Sequence, residues 1–135
     1  QCVVVLEGLK RIDKIINIRN KNAKFLDINL GKLKNLVKIP KRDKNNTETF
    51  ALYMIRANKR NNLLKFLNNN GIEAKIHYPK PLSLQKPYLK YQQKYIAKNV
   101  IKQSSELITL PVHQYLSQNQ LKFIIAKFFE FYKFT

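Results

Sequence analysis

Apolar residues recur at helical spacing in the first part of the chain. They lie four, three and four residues apart, at Val5, Leu9, Ile12 and Ile16. Residues at this spacing share one face of a helix, so the pattern predicts a helix over residues 3 to 26. Residues 31 to 49 show little periodicity and contain Gly, Pro, Asp and Asn. We therefore expect an irregular connection there, with a short extended piece around residues 36 to 39.

Three short segments further along are predicted to be strands. Residues 50 to 57 are compact, apolar and partly β-branched, which indicates a buried strand. Residues 72 to 78 alternate between apolar and polar positions, and residues 107 to 111 form a short apolar run that ends in a proline. The second strand cannot continue past its end, because prolines interrupt both regular structures. These prolines are Pro79, Pro81 and Pro87.

Further helices are predicted between and after the strands. Asn58 or Asn61 is a suitable N-cap for a helix that ends at Asn70 and Gly71 with a left-handed C-cap. Its inner face is Leu63, Leu64 and Leu67. Residues 89 to 105 form another helix candidate, and Ser117 is the expected cap of the last helix. The apolar face of the last helix is Leu121, Ile124, Ile125, Phe128 and Tyr132. The order of elements predicts one α+β domain over residues 1 to 135, with a three-stranded sheet packed against helices.

The charge of the chain leaves a nucleic-acid-binding function open as an alternative. The formal net charge is +18, and 21 of the 26 basic residues are Lys. Dense positive charge neutralises phosphates, but these lysines are spread over every segment and accompany many Asn and Ile residues, as AT-rich codons favour. Only residues 32 to 44 form a dense basic run. Tyr91 and Tyr95 alternate with lysines as in proteins that stack single-stranded bases, although their spacing of four equally fits a helix face.

Composition argues against several other classes of protein. No apolar run is long enough to cross a bilayer, and no signal segment precedes the first helix, so we expect a cytoplasmic protein. Cys2 is the single cysteine, which rules out an internal disulfide framework and fits a reducing compartment. With His77 and His113 it forms no metal-ligand cluster. No nucleophile–base pair and no Gly-rich phosphate loop is visible, so the chain by itself does not look like an enzyme.

The segment GIEAKIHYPKPLSLQKPY, residues 71 to 88, has the composition of a binding site. Prolines stiffen it, so that side chains there are held at a low entropy cost on binding. His77 donates or accepts hydrogen bonds near neutral pH, Tyr78 has a flat face with a polar tip, and the amide of Gln85 does both. This set suits a polar, ring-shaped ligand, and the alternative is that these side chains only pack. Arg19, a possible anion ligand, and His113, in a turn, are weaker candidates.

Several landmarks then reveal a resemblance to a known family. QCVVVLEGLKRID resembles a Gln-Ala helix that follows an Asn-Tyr-Arg segment, and RNKNAKFL resembles the Arg…Ala…Tyr run that closes it. The segment from FALYMIRANKR to GIEAKIHYPKPLSLQKPY resembles a strand, an Arg-Asp-x-Leu helix start and a His-Tyr-Pro-x-Pro-Leu-His-x-Gln loop. LITLPVHQYLS resembles a Leu-Ser-Leu-Pro…Leu-Ser stretch. In this order they resemble the C-terminal domain of the DegT/DnrJ/EryC1/StrS aminotransferases. The chain departs from the family at Leu26 for Tyr, Asn61 for Asp and Ser83 for His.

The resemblance implies the small C-terminal domain of a fold type I pyridoxal-phosphate enzyme. In the family, a large N-terminal domain holds the cofactor through a Schiff-base lysine, so we assign no residue of this chain to cofactor binding or catalysis. The resemblance places His77, Tyr78 and Gln85 at the mouth of the site, facing a nucleotide-linked keto-sugar. Glutamate is the expected amino donor, and a homodimer the expected assembly. Because the chain starts at Gln1 within a predicted helix, we interpret it as part of a longer protein that is inactive alone. Some relatives catalyse dehydration instead, and this part of the sequence does not separate the two cases.

Overall fold

Helices and a three-stranded antiparallel sheet make up the structure, a computed structural model that describes residues 2 to 91 and 98 to 133. The strands are β1 (Val37–Lys38), β2 (Tyr53–Ala57) and β3 (Leu107–Leu110). The α-helices are α1 (Cys2–Leu9), α2 (Ile12–Leu30), α3 (Arg60–Asn69), α4 (Lys98–Glu106) and α5 (Gln118–Lys133). Two 3-10 turns, Leu82–Leu84 and Lys86–Tyr91, lie between α3 and α4. The arrangement confirms the predicted α+β class.

The hydrophobic core forms between one face of the sheet and the long helices. β2 is the middle strand and pairs with β1 on one side and β3 on the other. Tyr53, Ile55 and Ala57 are buried while the residues between them are less so, as expected when one face of a strand packs on a core. The buried apolar side chains of the helices are Ala23, Leu26, Leu30, Leu63, Leu67, Leu121, Ile124, Phe128 and Phe131.

The single helix predicted over residues 3 to 26 is wrong, because the chain breaks between α1 and α2. The Lys10 N–H bonds the Leu6 carbonyl four residues back at 3.3 Å, but the Arg11 N–H bonds the Gly8 carbonyl three residues back at 3.1 Å. Gly8 weakens the helix at this point, since Gly in a helix interior costs about 1 kcal/mol relative to Ala. The predicted apolar face is divided as well: Val5 and Leu9 are exposed on α1, whereas α2 enters the core.

The strand predicted over residues 72 to 78 is also wrong, and β1 supplies the third strand instead. The end of α3 occupies the backbone groups that a strand would use: the Ile72 N–H bonds the Leu67 carbonyl at 3.0 Å, and the Ala74 N–H bonds Asn68 Oδ1 at 3.0 Å. Only Lys75 pairs with β3, in an isolated bridge to Thr109. The short extended piece expected around residues 36 to 39 is confirmed, because it pairs with β2 as β1.

The predicted start of α3 is wrong in detail, and its end is confirmed. The N-cap is Lys59, with φ 51°, and no side chain caps the helix, so neither Asn58 nor Asn61 has the expected role. Gly71 has φ 76°, the left-handed conformation that glycine adopts without a steric cost. Of the three leucines predicted to face inward, Leu63 and Leu67 are buried and Leu64 is partly buried.

The helix predicted over residues 89 to 105 is only partly observed. A 3-10 turn covers Lys86–Tyr91 and α4 begins at Lys98, while residues 92 to 97 lie outside the described residues. The nucleic-acid alternative depends on the Tyr/Lys segment. This segment includes Tyr95, which lies outside the described residues. That alternative stays a prediction.

The start and the inner face of α5 are confirmed. Ser117 Oγ accepts the Gln120 N–H at 3.2 Å, and Gln120 Oε1 accepts the Ser117 N–H at 2.8 Å. These reciprocal bonds form a capping box, which satisfies two backbone donors at once. Leu121, Ile124 and Phe128 are buried as predicted, with Ile125 and Tyr132 partly buried.

A polar network ties the long connection between β1 and β2 to α2. Arg42 forms two bonds to the Asp27 carboxylate, at 3.1 and 3.2 Å, and a third to Glu48 at 3.1 Å. The buried Tyr53 donates its hydroxyl proton to Asp27 Oδ1 at 2.7 Å. The Arg42 guanidinium also lies 5.0 Å from the centre of the Phe50 ring. The network holds residues 42 to 50 against the helix that carries Arg19.

The ionisation of Tyr53 predicts a specific loss of stability in alkali. Burial, and then the bond to Asp27, raise the pKa of this phenol far above its ordinary value of 10.0. The folded state therefore keeps the proton at a pH where the unfolded chain releases it. The stability contributed by Tyr53 is complete below pH 10 and is lost above it, by up to about 1.4 kcal/mol per pH unit. Urea unfolding of the wild type and of Tyr53→Phe between about pH 9 and pH 11.5 measures this slope.

The variant is expected to lose stability less steeply with pH, because its ring has no proton to release. Tyr132, whose pKa burial raises to about 12, is present in both proteins and cancels in the comparison. Equal slopes would contradict a protonated, buried Tyr53.

Candidate functional site

A cleft of about 270 Å³ lies where the segment after α3 meets the end of β3 and the residues before β2. Its polar lining comes from three parts of the chain: α2, residues 73 to 77 and residues 109 to 113. The polar side chains that line it are Arg19, Glu73, Lys75, His77, Thr109 and His113. Of the sequence candidates, the structure therefore places His77 in this cleft together with both weaker ones.

His77 is positioned by β3. Its Nδ1 atom lies 2.9 Å from Thr109 Oγ1, and Thr109 is buried within the strand. The backbone supports the same contact, because Lys75 and Thr109 exchange both N–H···O bonds, at 3.0 and 2.8 Å. With Nδ1 engaged, the half-buried ring has Nε2 left for a ligand.

Tyr78 and Gln85 project from the proline-rich segment and do not line the cleft. The Tyr78 side chain is 70% exposed and its ring meets that of His77 edge-on, with the ring centres 5.6 Å apart. The exposed Gln85 lies between the 3-10 turns: its N–H bonds the Leu82 carbonyl, and its carbonyl accepts the Tyr88 N–H. Its side-chain amide thus projects from a turn that the backbone holds in shape.

Arg19 is one of the weaker candidates from the sequence, and its position in the cleft strengthens the case that it binds a ligand. It precedes Ala23 by four residues and Leu26 by seven on α2, so it lies on the same side of the helix as the core residues. Its Nε donates to Gln114 Oε1 at 3.2 Å, and Nη1 to the Phe50 carbonyl at 3.4 Å. A charged residue in line with a buried stripe is a pattern that singles out Arg19 within the sequence. Its partners, 31 and 95 residues away, give no such signal.

The acidic side chain in the cleft has a basic partner. Glu73 is paired with Lys75, whose hydrogen bond and charge lower the pKa of the carboxyl, with a smaller effect from His113. Because Glu73 and Lys75 carry opposite charges, the charge of Arg19 leaves the cleft with a positive balance.

A larger groove of about 590 Å³ lies between α2 and the connection that follows β1, and includes Lys21, Lys24 and Asn46. The charges at its base, Asp27, Arg42 and Glu48, are paired with one another. They serve the packing of this connection, so the smaller cleft is the better candidate for a binding site.

Residues 2 to 91 and 98 to 133 contain neither a metal-binding cluster nor a candidate membrane span. Within these residues, no group of three His, Cys, Asp or Glu side chains is placed to hold a metal ion. In the same part of the chain, no helix combines the length and the apolar character needed to span a membrane.

Comparison with known proteins gives a consistent family. The model of the DegT/DnrJ/EryC1/StrS aminotransferase family matches residues 1 to 129. A curated protein of Geobacillus stearothermophilus called "Pleiotropic regulatory protein" is 30% identical over 98% of this chain. A UDP-2-acetamido-2-deoxy-3-oxo-D-glucuronate aminotransferase of Pseudomonas aeruginosa is 27% identical over 93% of it. A crystal structure of a DegT DnrJ EryC1 StrS aminotransferase from Brucella abortus superimposes on 97% of the chain with a TM-score of 0.89 and 30% identity.

The chain spans about a third of the length of these proteins. The aligned part amounts to 36% and 34% of the two curated relatives and 35% of the Brucella chain. The residues that carry the match include the cleft and the whole proline-rich segment.

Proposed function

Because the chain belongs to the DegT/DnrJ/EryC1/StrS aminotransferase family, we propose that it acts as the C-terminal part of an enzyme that moves an amino group from glutamate to a nucleotide-linked keto-sugar. The observation that carries the proposal is the placement of His77, oriented by Thr109 in the cleft, with Tyr78 exposed beside it. The amino-sugar activity of the Pseudomonas relative supports the substrate class.

In this proposal His77, Tyr78 and Gln85 form a substrate-facing rim. The free Nε2 of His77 bonds a hydroxyl or carbonyl of the sugar, because Nδ1 is occupied by Thr109. The exposed ring of Tyr78 supplies an apolar surface for a sugar face, and its hydroxyl a hydrogen bond. Gln85 supplies an amide donor and acceptor. Pro79 and Pro81 within the rim and Pro87 after it keep the rim stiff, which lowers the entropy lost on binding.

We place the cofactor outside this chain. Pyridoxal phosphate, when bound, carries the amino group between the two substrates. The residues of the cleft do not suit it: its one lysine, Lys75, is solvent-exposed and paired with Glu73, and no glycine lines the cleft to make room for a phosphate. We therefore derive no step through the cofactor and assign it to a large N-terminal domain.

Exposed apolar side chains near the start of the chain indicate a surface that packs against another domain or subunit. Six aliphatic side chains in and just after α1 are more than 40% exposed: Val3, Val4, Val5, Leu6, Leu9 and Ile12. A concentration of exposed apolar side chains in one segment marks an interaction site. We propose that it packs against the cofactor-bearing domain, that the complete enzyme is a homodimer, and that it acts in the cytoplasm.

The proposal is tested on the protein encoded by the complete reading frame that contains this chain. The upstream sequence is expected to encode the Asn-Tyr-Arg segment and a lysine that binds the cofactor. The purified protein is expected to form 2-oxoglutarate from glutamate beyond one equivalent per cofactor only when a nucleotide-linked keto-sugar is added, and to elute as a dimer.

Three outcomes separate the alternatives. Release of 2-oxoglutarate together with an amino-sugar nucleotide supports the transfer. Loss of water from the sugar without consumption of glutamate identifies a dehydratase relative. An unrelated upstream sequence, or no reaction with any keto-sugar nucleotide, contradicts the proposal.

A further inference from the structure

The charge of Arg19 has no acidic partner among residues 2 to 91 and 98 to 133. The two groups that Arg19 contacts are an amide oxygen and a backbone carbonyl, and both are neutral. Its Nη2 atom has no hydrogen-bond acceptor within the same part of the chain. A half-buried guanidinium has lost part of its hydration, and such a charge is stabilised when an anion completes its bonds.

His113 presents a hydrogen-bond donor in the same cleft. Its Nδ1 atom accepts the backbone N–H of Tyr115 at 3.3 Å. A nitrogen that accepts a hydrogen bond carries no proton, so the proton of the neutral ring is on Nε2. The exposed Nε2–H is therefore available as a donor to a ligand.

α2 holds both groups in a fixed relation. Asn22, one turn beyond Arg19, is buried, and its amide donates to the His113 carbonyl at 3.1 Å. Arg19 itself holds the next residue, Gln114. The turn that carries His113 is thus attached to the helix that carries Arg19 by two side-chain bonds, and neither bond uses Nη2 of Arg19 or Nε2 of His113.

We propose that Arg19 and His113 form an oxyanion-binding subsite of the cleft. A guanidinium edge beside a ring N–H matches a phosphate or carboxylate group, whose oxygens accept both donors. Glu73 is the acidic side chain of the cleft, and its charge is offset by the ion pair with Lys75. The subsite lies in the same cleft as His77, so an anionic substituent would be bound next to the group that His77 contacts.

The biological meaning of the subsite rests on the proposed function. That function brings two kinds of oxyanion, the diphosphate of a nucleotide sugar and the carboxylates of glutamate. Binding of the anion alone requires neither the cofactor nor an amino donor. Failure of the transferase assay and failure of the subsite are therefore separate results.

The test is titration of the protein encoded by the complete reading frame that contains this chain with pyrophosphate and, separately, with glutarate at constant ionic strength. Nuclear magnetic resonance follows the Nε–H signal of Arg19 and the backbone N–H signal of His113. We expect one of the two probes to saturate these signals, and Arg19→Gln to raise its Kd about tenfold, since bonds to charged groups are the strong ones. His113→Ala, at an exposed position, is expected to raise it about threefold.

Arg11→Gln is the matched control. Arg11 is exposed at the junction of α1 and α2, and its replacement lowers the net charge by the same amount as Arg19→Gln. It is expected to change Kd less than about twofold. Saturation by pyrophosphate assigns the subsite to a phosphate, and saturation by glutarate to a carboxylate. If Arg19→Gln destabilises the fold, His113→Ala decides. No saturation with either probe, or equal effects of all three variants, would overturn the subsite, because general attraction to a chain of charge +18 would then explain the binding.

Discussion

Replacement of Asp27 by alanine is expected to lower the free energy of unfolding by about 3 kcal/mol. Two losses combine in this variant. The buried hydroxyl of Tyr53 loses the acceptor to which it donates at 2.7 Å, and Arg42 loses the carboxylate that it contacts with two nitrogens. The second loss is the smaller one, because Arg42 is 28% exposed and keeps Glu48. Urea unfolding of the chain, followed by circular dichroism at neutral pH, measures the change.

Asp43→Ala is the matched control, since it removes the same charge from the connection that the network holds. Asp43 is exposed, and within the part of the chain that the structure describes its side chain bonds only its neighbours Asn45 and Asn46, so a cost below about 1 kcal/mol is expected. A double-mutant cycle of Asp27→Ala with Tyr53→Phe separates the hydroxyl from the ion pair. Equal costs for Asp27→Ala and Asp43→Ala would show that net charge, and not the network, determines the result.

The parts of the fold that were predictable are those encoded by neighbouring residues. Ser117 and Gln120 form a capping box three residues apart, and Gly71 ends α3 within one turn of its last leucine. Both depend on hydrogen bonds that close within a few positions. The apolar stripe of α5 is also encoded by residues close in sequence, and its prediction is confirmed.

The misplaced strand shows where local patterns are insufficient. Residues 72 to 78 alternate as a strand does, yet their first N–H groups bond the end of α3 and the side chain of Asn68. The two-residue β1 has almost no pattern of its own, but it lies beside β2 because Val37 pairs with Ala57. Tertiary contacts, which override local preference, determine which of these two segments becomes a strand of the sheet.

The candidate site divides in the same way. His77 and its prolines are adjacent in sequence, so their composition alone predicts a binding segment. Arg19 and Thr109 contribute to the same cleft from positions far apart, and their partners are set by packing. A single sequence therefore singled out the proline-rich segment, whereas the contacts of Arg19 and the part played by Thr109 depend on the folded chain.

His77→Ala in the complete enzyme is expected to raise the KM for the keto-sugar nucleotide about tenfold and to leave the KM for glutamate within about twofold. The reason is geometric: Nδ1 is held by Thr109, so the ring presents one nitrogen to a substrate from a fixed direction. Tyr78→Phe, which keeps the ring and removes the hydroxyl, is expected to have a smaller effect on the same substrate. Initial rates with each substrate varied in turn measure both constants.

Thr109→Val tests whether the orientation of His77 matters, because valine fills nearly the same volume without the hydroxyl that holds Nδ1. Thr109 is buried and its hydroxyl lies 2.9 Å from His77 Nδ1, so its replacement is expected to act through the orientation of the ring. We expect a rise of about threefold in the KM for the sugar alone. Thr47→Val, the same replacement at an exposed position outside the cleft, is the control and is expected to change neither constant. Equal rises in both KM values for His77→Ala would place the ring where both substrates bind and exclude a rim that faces only the sugar.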